Sequence, residues 1–145
     1  DGRFWTDGWD GYPAARRRLL DTLAASGAKN PLVLAGDVHT FYASELRRDF
    51  GRPASKNNPI VAAELCGTSV TSSSRPQYRT QENVERNPHM LYGRSDKRGY
   101  MLVEVKPQSA QARFMALDDV HDARSGQAQV AAFAMTNRLA GVRRA

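Results

Sequence analysis

The stretch Pro31-Leu32-Val33-Leu34-Ala35-Gly36-Asp37-Val38-His39 is where the reading of this chain starts. Leu32 to Ala35 is an apolar run of the length of a fully buried strand, and Gly36 ends it. The pattern predicts a central parallel strand that empties into a turn carrying an acid and an imidazole. In open α/β sheets, ligands and catalytic groups gather just beyond the carboxyl ends of such strands. Asp37 and His39 occupy that place, one residue apart.

Upstream of this strand, residues 1–13 hold two Trp and three Asp among glycines. The spacing suggests that Trp5, Trp9 and Tyr12 wall a cleft or cover an edge. Asp7 and Asp10 are candidate cation ligands, or simply turn and capping residues. Pro13 suits the first position of a helix. That helix is expected to run to about Ser26, with Leu19, Leu20 and Leu23 on one face, Arg16 to Arg18 mostly outward, and Gly27 as the stop signal.

Downstream, Phe41 to Phe50 alternates well enough for a strand, and Pro59 to Cys66 is a second apolar strand. The latter runs into Gly67-Thr68-Ser69 and then Thr71 to Ser74, either an anion-presenting segment or a mobile surface loop. Residues 75–97 are polar, with one or two helical turns expected over Gln81–Arg86 before Asn87-Pro88 turns the chain. Gly99–Val105 and Gln111–Leu117 read as paired strands around Pro107 and Ser109. Gln129–Thr136 fits either a helix or a third strand. The order is α/β with a single long helix, which cannot cover both faces of a sheet. The chain therefore reads as part of a larger sandwich.

The 145 residues are one domain's worth, with the composition of an ordinary globular protein. No apolar run approaches the ~20 residues of a membrane helix, and the turn-rich opening is unlike a targeting segment. The net charge of +6 comes mainly from Arg. The aromatics are not interleaved with these basic runs, so a solvated basic face is favoured over nucleic-acid binding. Cys66 is alone, which excludes an intrachain disulfide, and its apolar strand makes it a buried, inert thiol.

Gly36-Asp37-Val38-His39 sets a hard carboxylate and a borderline imidazole on one turn. A carboxylate suits Ca, Mg, Mn or ferric ions, and a neutral imidazole suits Zn or Fe. Separated by one residue, the two can give one ligand each to neighbouring ions, the arrangement that clamps a phosphoryl group. The alternative is a structural Asp turn beside a surface His. His121 sits in a charged connector and reads as solvated. His89 follows a turn and is either a general acid or substrate contact, or a positioned turn residue. No Gly-x-Ser-x-Gly elbow and no Gly-x-Gly-x-x-Gly occurs, which argues against a serine hydrolase or a dinucleotide site.

Several segments together resemble the alkaline phosphatase D family of calcineurin-like metallophosphatases: Trp9-Asp10-Gly11-Tyr12-Pro13, Leu34-Ala35-Gly36-Asp37-Val38-His39, Glu64 with Gly67-Thr68-Ser69-Val70-Thr71-Ser72, Asn87-Pro88-His89, and Arg98-Gly99-Tyr100. Their order and approximate spacing are those of the family's C-terminal part, across nearly the whole chain. The resemblance implies the C-terminal half of a metallophosphatase-type β-sandwich flanked by helices, with residues 1–145 a C-terminal portion. It implies two-metal hydrolysis of phosphomonoesters or phosphodiesters with Ca2+ and Fe3+. Asp37 then ligates calcium and His39 iron, with Asp10 a further candidate ligand and His89 a candidate proton donor or phosphate contact. In the wider superfamily the turn is Gly-His-x-His; the Asp at its first position is this family's.

The family's earlier motifs supply a bridging Asp, an Asn and further iron ligands including a Cys and a Tyr. None has a counterpart here, and Cys66 lies in the wrong motif. The expected partners are a phosphate ester and the N-terminal half of the same protein, with nucleic acid only as a phosphodiester substrate. The expected location is periplasmic or secreted. On this reading the chain alone binds metal poorly and hydrolyses little. The alternative is a non-catalytic α/β binding module that retains the scaffold.

Overall fold

The computed structural model describes residues 6–145. Among them are a 3-10 turn (Trp9–Gly11), helices α1 (Pro13–Ala25) and α2 (Gln77–Arg86), and strands β1 (Leu32–Ala35), β2 (Phe41–Arg47), β3 (Ile60–Cys66), β4 (Met90–Arg94), β5 (Gly99–Lys106), β6 (Ser109–Leu117), β7 (Gln127–Thr136) and β8 (Leu139–Arg144). The strands form two sheets, ordered β1-β3-β2-β4 and β5-β6-β7-β8. The first is mixed, with β1 parallel to β3, and the second is an antiparallel meander.

The sheets pack face to face. Phe41 of the first stacks on Phe114 of the second with ring centroids 4.8 Å apart, and Phe133 and Tyr92 complete the aromatic cluster. Around it lie Ala43, Ala63, Leu65, Ala112, Ala131 and Met135, all buried. Each buried Phe contributes about 1.5–3 kcal/mol by leaving water, and the small alanines let the sheets approach this closely. The helices lie on the other face of the first sheet. The result is the expected sandwich flanked by helices.

Helix α1 begins with Pro at its first turn and ends at Ser26, followed by Gly27 at φ +71°. That is the left-handed residue on which helices commonly stop. Leu20 is its buried residue.

The structure departs from expectation in four places. Strand β1 is not central: it is paired on one side only, by β3, and Leu34 is 54% exposed. An apolar run does not distinguish an edge from a central strand. Helix α2 is ten residues long and begins four residues earlier than expected, directly after Pro76. Its only buried residue is Thr80, whose hydroxyl donates to Ser95 Oγ at 2.7 Å, so little apolar periodicity announces it. Strands β4 and β8 lie where no strand was expected, while the tail, open between helix and strand, is the strand Gln127–Thr136.

Residues outside the strands are tied down by polar contacts. The Asn30 amide donates to the carbonyls of Thr136 and Gly141 and accepts from Gly141 N, which fixes the entry to β1 against the β7–β8 hairpin. Asn58 similarly organises the loop between β2 and β3: it donates to Asp49 O at 2.8 Å and accepts from Asp49 N at 3.2 Å.

Candidate metal-binding turn

The turn after β1 departs from ordinary backbone geometry. Asp37 has φ +69° and His39 has φ +55°, conformations that side-chain-bearing residues seldom adopt. Val38 N donates to Gly36 O at 2.8 Å, so Asp37 is the centre of a γ-type turn with positive φ, the rarer and more strained kind. Strain of this sort persists only where the surroundings over-determine the conformation.

Here they do. His39 Nδ1 lies 2.9 Å from Ser73 O, and because a carbonyl can only accept, Nδ1 carries the proton. In the neutral form this leaves Nε2 with a bare lone pair, the state in which imidazole binds metal. The His39 carbonyl accepts from Thr68 Oγ1 at 3.0 Å and from Arg98 Nη1 at 3.2 Å. Thr40, fully buried, shares a 2.9 Å bond with Ser74 Oγ and donates to Val38 O. The Gly67–Ser74 segment therefore acts as a bracket around the turn. Its Ser72 and Ser73 carbonyls are occupied in holding Arg98 and His39.

Asp37 is exposed, and its carboxylate has no hydrogen bond or ion pair among the described residues. It and His39 Nε2 are thus two donors free for ligands, a hard oxygen and a borderline nitrogen, chemically suited to cations of differing hardness. Among the described residues no group of three or more His, Cys, Asp or Glu side chains could hold a metal. Cys66 lies beneath the turn, its Sγ 3.6 Å from Gly36 O; burial, with the nearby carboxylates of Glu64 and Asp37, pushes its thiol up to about 12.

Asp10 and His89 do not join this turn. They line a cavity of about 460 Å3 on the helical face of the first sheet, together with Trp9, Arg16, Phe50 and Glu64. The cause is strand register. β4 runs antiparallel to β2 with Met90 opposite Ser44, and the carbonyl of His89 accepts from Glu45 N at 2.8 Å. From Phe41 to Glu45 is four residues, about 13 Å at the usual ~3.3 Å rise per residue, and His39 precedes even Phe41. This exceeds the reach of a shared metal shell.

In the cavity, Asp10 pairs with Arg16 at 2.6 Å. His89 packs edge-on against Phe50 with centroids 4.7 Å apart, and its buried Nδ1 has no partner. Burial, then the charges of Arg47 and Arg16, hold its pKa below the ordinary imidazole value. Trp9 walls the cavity as expected, and Tyr12 is 59% exposed outside it. Asp7 is exposed, and Trp5 lies outside the described residues. His121 is exposed, as its charged connector suggested.

The motif segments thus sort into two places. Gly36–His39, Gly67–Ser72 and Arg98–Tyr100 converge on the turn, while Trp9–Asp10, Glu64 and Asn87–His89 meet at the cavity. A family model described as PhoD-like phosphatase matches residues 1–114. The chain belongs to the PhoD-like phosphatase family. Alkaline phosphatase D of Bacillus subtilis (strain 168) is 33% identical over 141 residues, covering 95% of this chain and 24% of that protein. A solved structure titled "Structure of PhoD" superposes with a TM-score of 0.81 at 32% identity, covering 95% of this chain and 26% of the other. This PhoD-like chain therefore spans about a quarter of the length of the relatives it matches. No helix is long and apolar enough to cross a membrane.

The residue that sequence reading passed over is Arg98. It stood in a motif, but its acceptors are mainly backbone carbonyls, which leave no mark in side-chain patterns. Its neighbour Gly99 carried the one usable signal: a Cβ there would fall 1.9 Å from Met115 O, so the chain beside Arg98 must be glycine.

Proposed function

We propose that this chain is the C-terminal portion of an exported, metal-dependent phosphatase that hydrolyses phosphomonoesters, phosphodiesters or both. The observation that supports the reading is the clamped turn, which carries Asp37 and His39 one residue apart with Nε2 unengaged, and no group of three metal-ligating side chains among the described residues. Asp37 would hold calcium and His39 iron, and the remaining ligands would come from the N-terminal portion of the same protein.

When bound, the two cations would supply activation of water and neutralisation of charge developing on the phosphoryl oxygens. The chain's own contribution is geometric. Asp37 presents a carboxylate that needs no desolvation of a competing partner. His39 presents one ring nitrogen only, since the other is spent on Ser73 O. The bracket of Gly67–Ser74 keeps His39 in place before any ligand arrives.

The experiment compares hydrolysis of p-nitrophenyl phosphate and bis(p-nitrophenyl) phosphate, with calcium and iron added, by the chain alone and by the chain joined to the upstream portion of a PhoD-like protein. Activity is expected near background for the first and clear for the second, and Asp37→Ala or His39→Ala should abolish it. Turnover by the isolated chain equal to that of a full-length relative, or a joined enzyme indifferent to both substitutions, overturns the proposal.

A further inference from the structure

Arg98 is a cation with an unusual set of partners. Its Nη1 shares its two hydrogens among Ser72 O at 2.8 Å, Ser69 Oγ at 2.9 Å and His39 O at 3.2 Å, and its Nη2 donates to Ser95 O. All four acceptors are neutral, and no carboxylate pairs with it among the described residues. An exposed Arg recognising phosphate keeps its donors pointed outward. This one has turned them inward, onto the turn after β1, the bracketing segment and the residue just before Asp96.

These contacts hold His39 from two sides. Directly, Arg98 and Thr68 both donate to the His39 carbonyl, which fixes a backbone unit at positive φ. Indirectly, Arg98 holds Ser72 O, and the next residue offers the carbonyl that receives His39 Nδ1–H. Both connections come from Nη1, while Nη2 on Ser95 O anchors the guanidinium plane that aims it, an anchor a lone ammonium on a flexible stem lacks.

We propose that Arg98 is a positioning residue for His39: it sets the ring's orientation and tautomer, keeping Nδ1–H on Ser73 O and Nε2 bare. The importance of that tautomer for phosphatase chemistry rests on reading His39 as a metal ligand, but the positioning itself does not.

The test uses the 145-residue chain. Long-range proton–nitrogen NMR correlations of the imidazoles, at a pH where the rings are neutral, report which ring nitrogen bears the proton. His39→Gln assigns the His39 signals against those of His89 and His121. The native chain should show His39 as a single Nδ1–H tautomer. Arg98→Met should lose that signature and give the mixture of an unanchored ring, with Arg98→Lys restoring it in part. A backbone amide spectrum establishes that each variant is folded.

The proposal is overturned if the native ring is Nε2-protonated or mixed, or if folded Arg98→Met keeps the native signature. Should Arg98→Met fail to fold, Ser69→Ala removes one of the guanidinium's anchors and should raise the minor tautomer, while an unchanged signature counts against the proposal. The two readings fail separately. A tautomer that follows Arg98 in an enzyme indifferent to His39→Ala leaves this inference standing and removes the metal role.

Discussion

His39 Nδ1 lies 2.9 Å from the carbonyl oxygen of Ser73, a residue 34 positions further along the chain. That bond joins the turn after β1 to the segment after β3, two places that the parallel pairing of β1 with β3 brings to the same end of the sheet. The parallel arrangement is therefore what builds the site. Antiparallel strands here would have sent Gly67–Ser74 to the opposite end and left His39 with water as its partner.

The backbone of Asp37 bears a cost that its side chain does not explain locally. At φ +69° a residue with a Cβ is strained and glycine is not. Asp37→Gly is expected to leave the chain as stable as the native form or more stable by up to about 1 kcal/mol, while Asp37→Ala lowers stability by about 1 kcal/mol. Urea denaturation of the three proteins checks the order. Asp37→Gly should also lose phosphatase activity in the joined enzyme, since the ligand is gone while the turn is relaxed. A stable, inactive variant is the mark of a residue kept for chemistry.

How much of this was legible in the sequence depends on which signals are local. The strand and turn at Leu32–His39, the helix behind Pro13 and the β5–β6 hairpin announce themselves through apolar periodicity, a fixed-φ proline and alternation. Strands β4 and β8 do not, because each carries a glycine that reads as a breaker. The glycines serve different ends: a Cβ on Gly93 would meet Val84 at 2.7 Å, whereas Gly141 sits at φ +87°, a conformation that favours glycine. Asp37 and His39 were legible as residue types. Arg98 was not, since its acceptors are carbonyls contributed by three separate segments. The place of His89, beside Glu45 on the helical face, follows from the register of β4, which no residue-type pattern encodes.

His89 should leave a trace in the pH dependence of stability. Its folded pKa is depressed below the ordinary 6.5, first by burial and then by Arg47 and Arg16. The unfolded chain therefore binds a proton more readily than the folded one, so stability rises with pH. This contribution is fully present above pH 6.5 and is lost as pH falls through the lower folded value. His89→Gln, which keeps a polar group but cannot titrate, should flatten the acid side of the stability profile. Denaturation midpoints measured from pH 8 downward decide it; an unchanged slope contradicts the assignment.

Glu64 works in the opposite direction. Burial raises its pKa above 4.5, and it has no hydrogen-bonded or ionic partner among the described residues. Stability from this group is therefore full below pH 4.5 and falls as pH rises through the higher folded value. Glu64→Gln is isosteric and should stabilise the chain at neutral and alkaline pH with little effect in acid. It should also bring the Cys66 thiol down from about 12, because the Glu64 charge is one of the causes holding it there. Thiolate ultraviolet absorbance against pH measures the second effect independently of the first.

Gly93 is the point at which α2 docks on β4. A Cβ at this position would lie 2.7 Å from Val84, 2.9 Å from Thr80 and 2.9 Å from Tyr42, so the helix and the strand cannot both stay where they are. Overpacking of this kind costs about 1–3 kcal/mol. The helix is the element free to move, since β4 is held by the β2 ladder and Tyr92 by the aromatic core. Gly93→Ala is therefore expected to lower global stability modestly but to release α2 in particular, breaking the Thr80–Ser95 bond. Because Ser95 O also receives Arg98, the disturbance should reach the turn. Hydrogen exchange should quicken first over Gln77–Arg86 and next over Gly67–Ser74, with β6 and β7 unchanged. Uniform loss of protection across both sheets would instead mean that α2 and the turn are not coupled through Ser95.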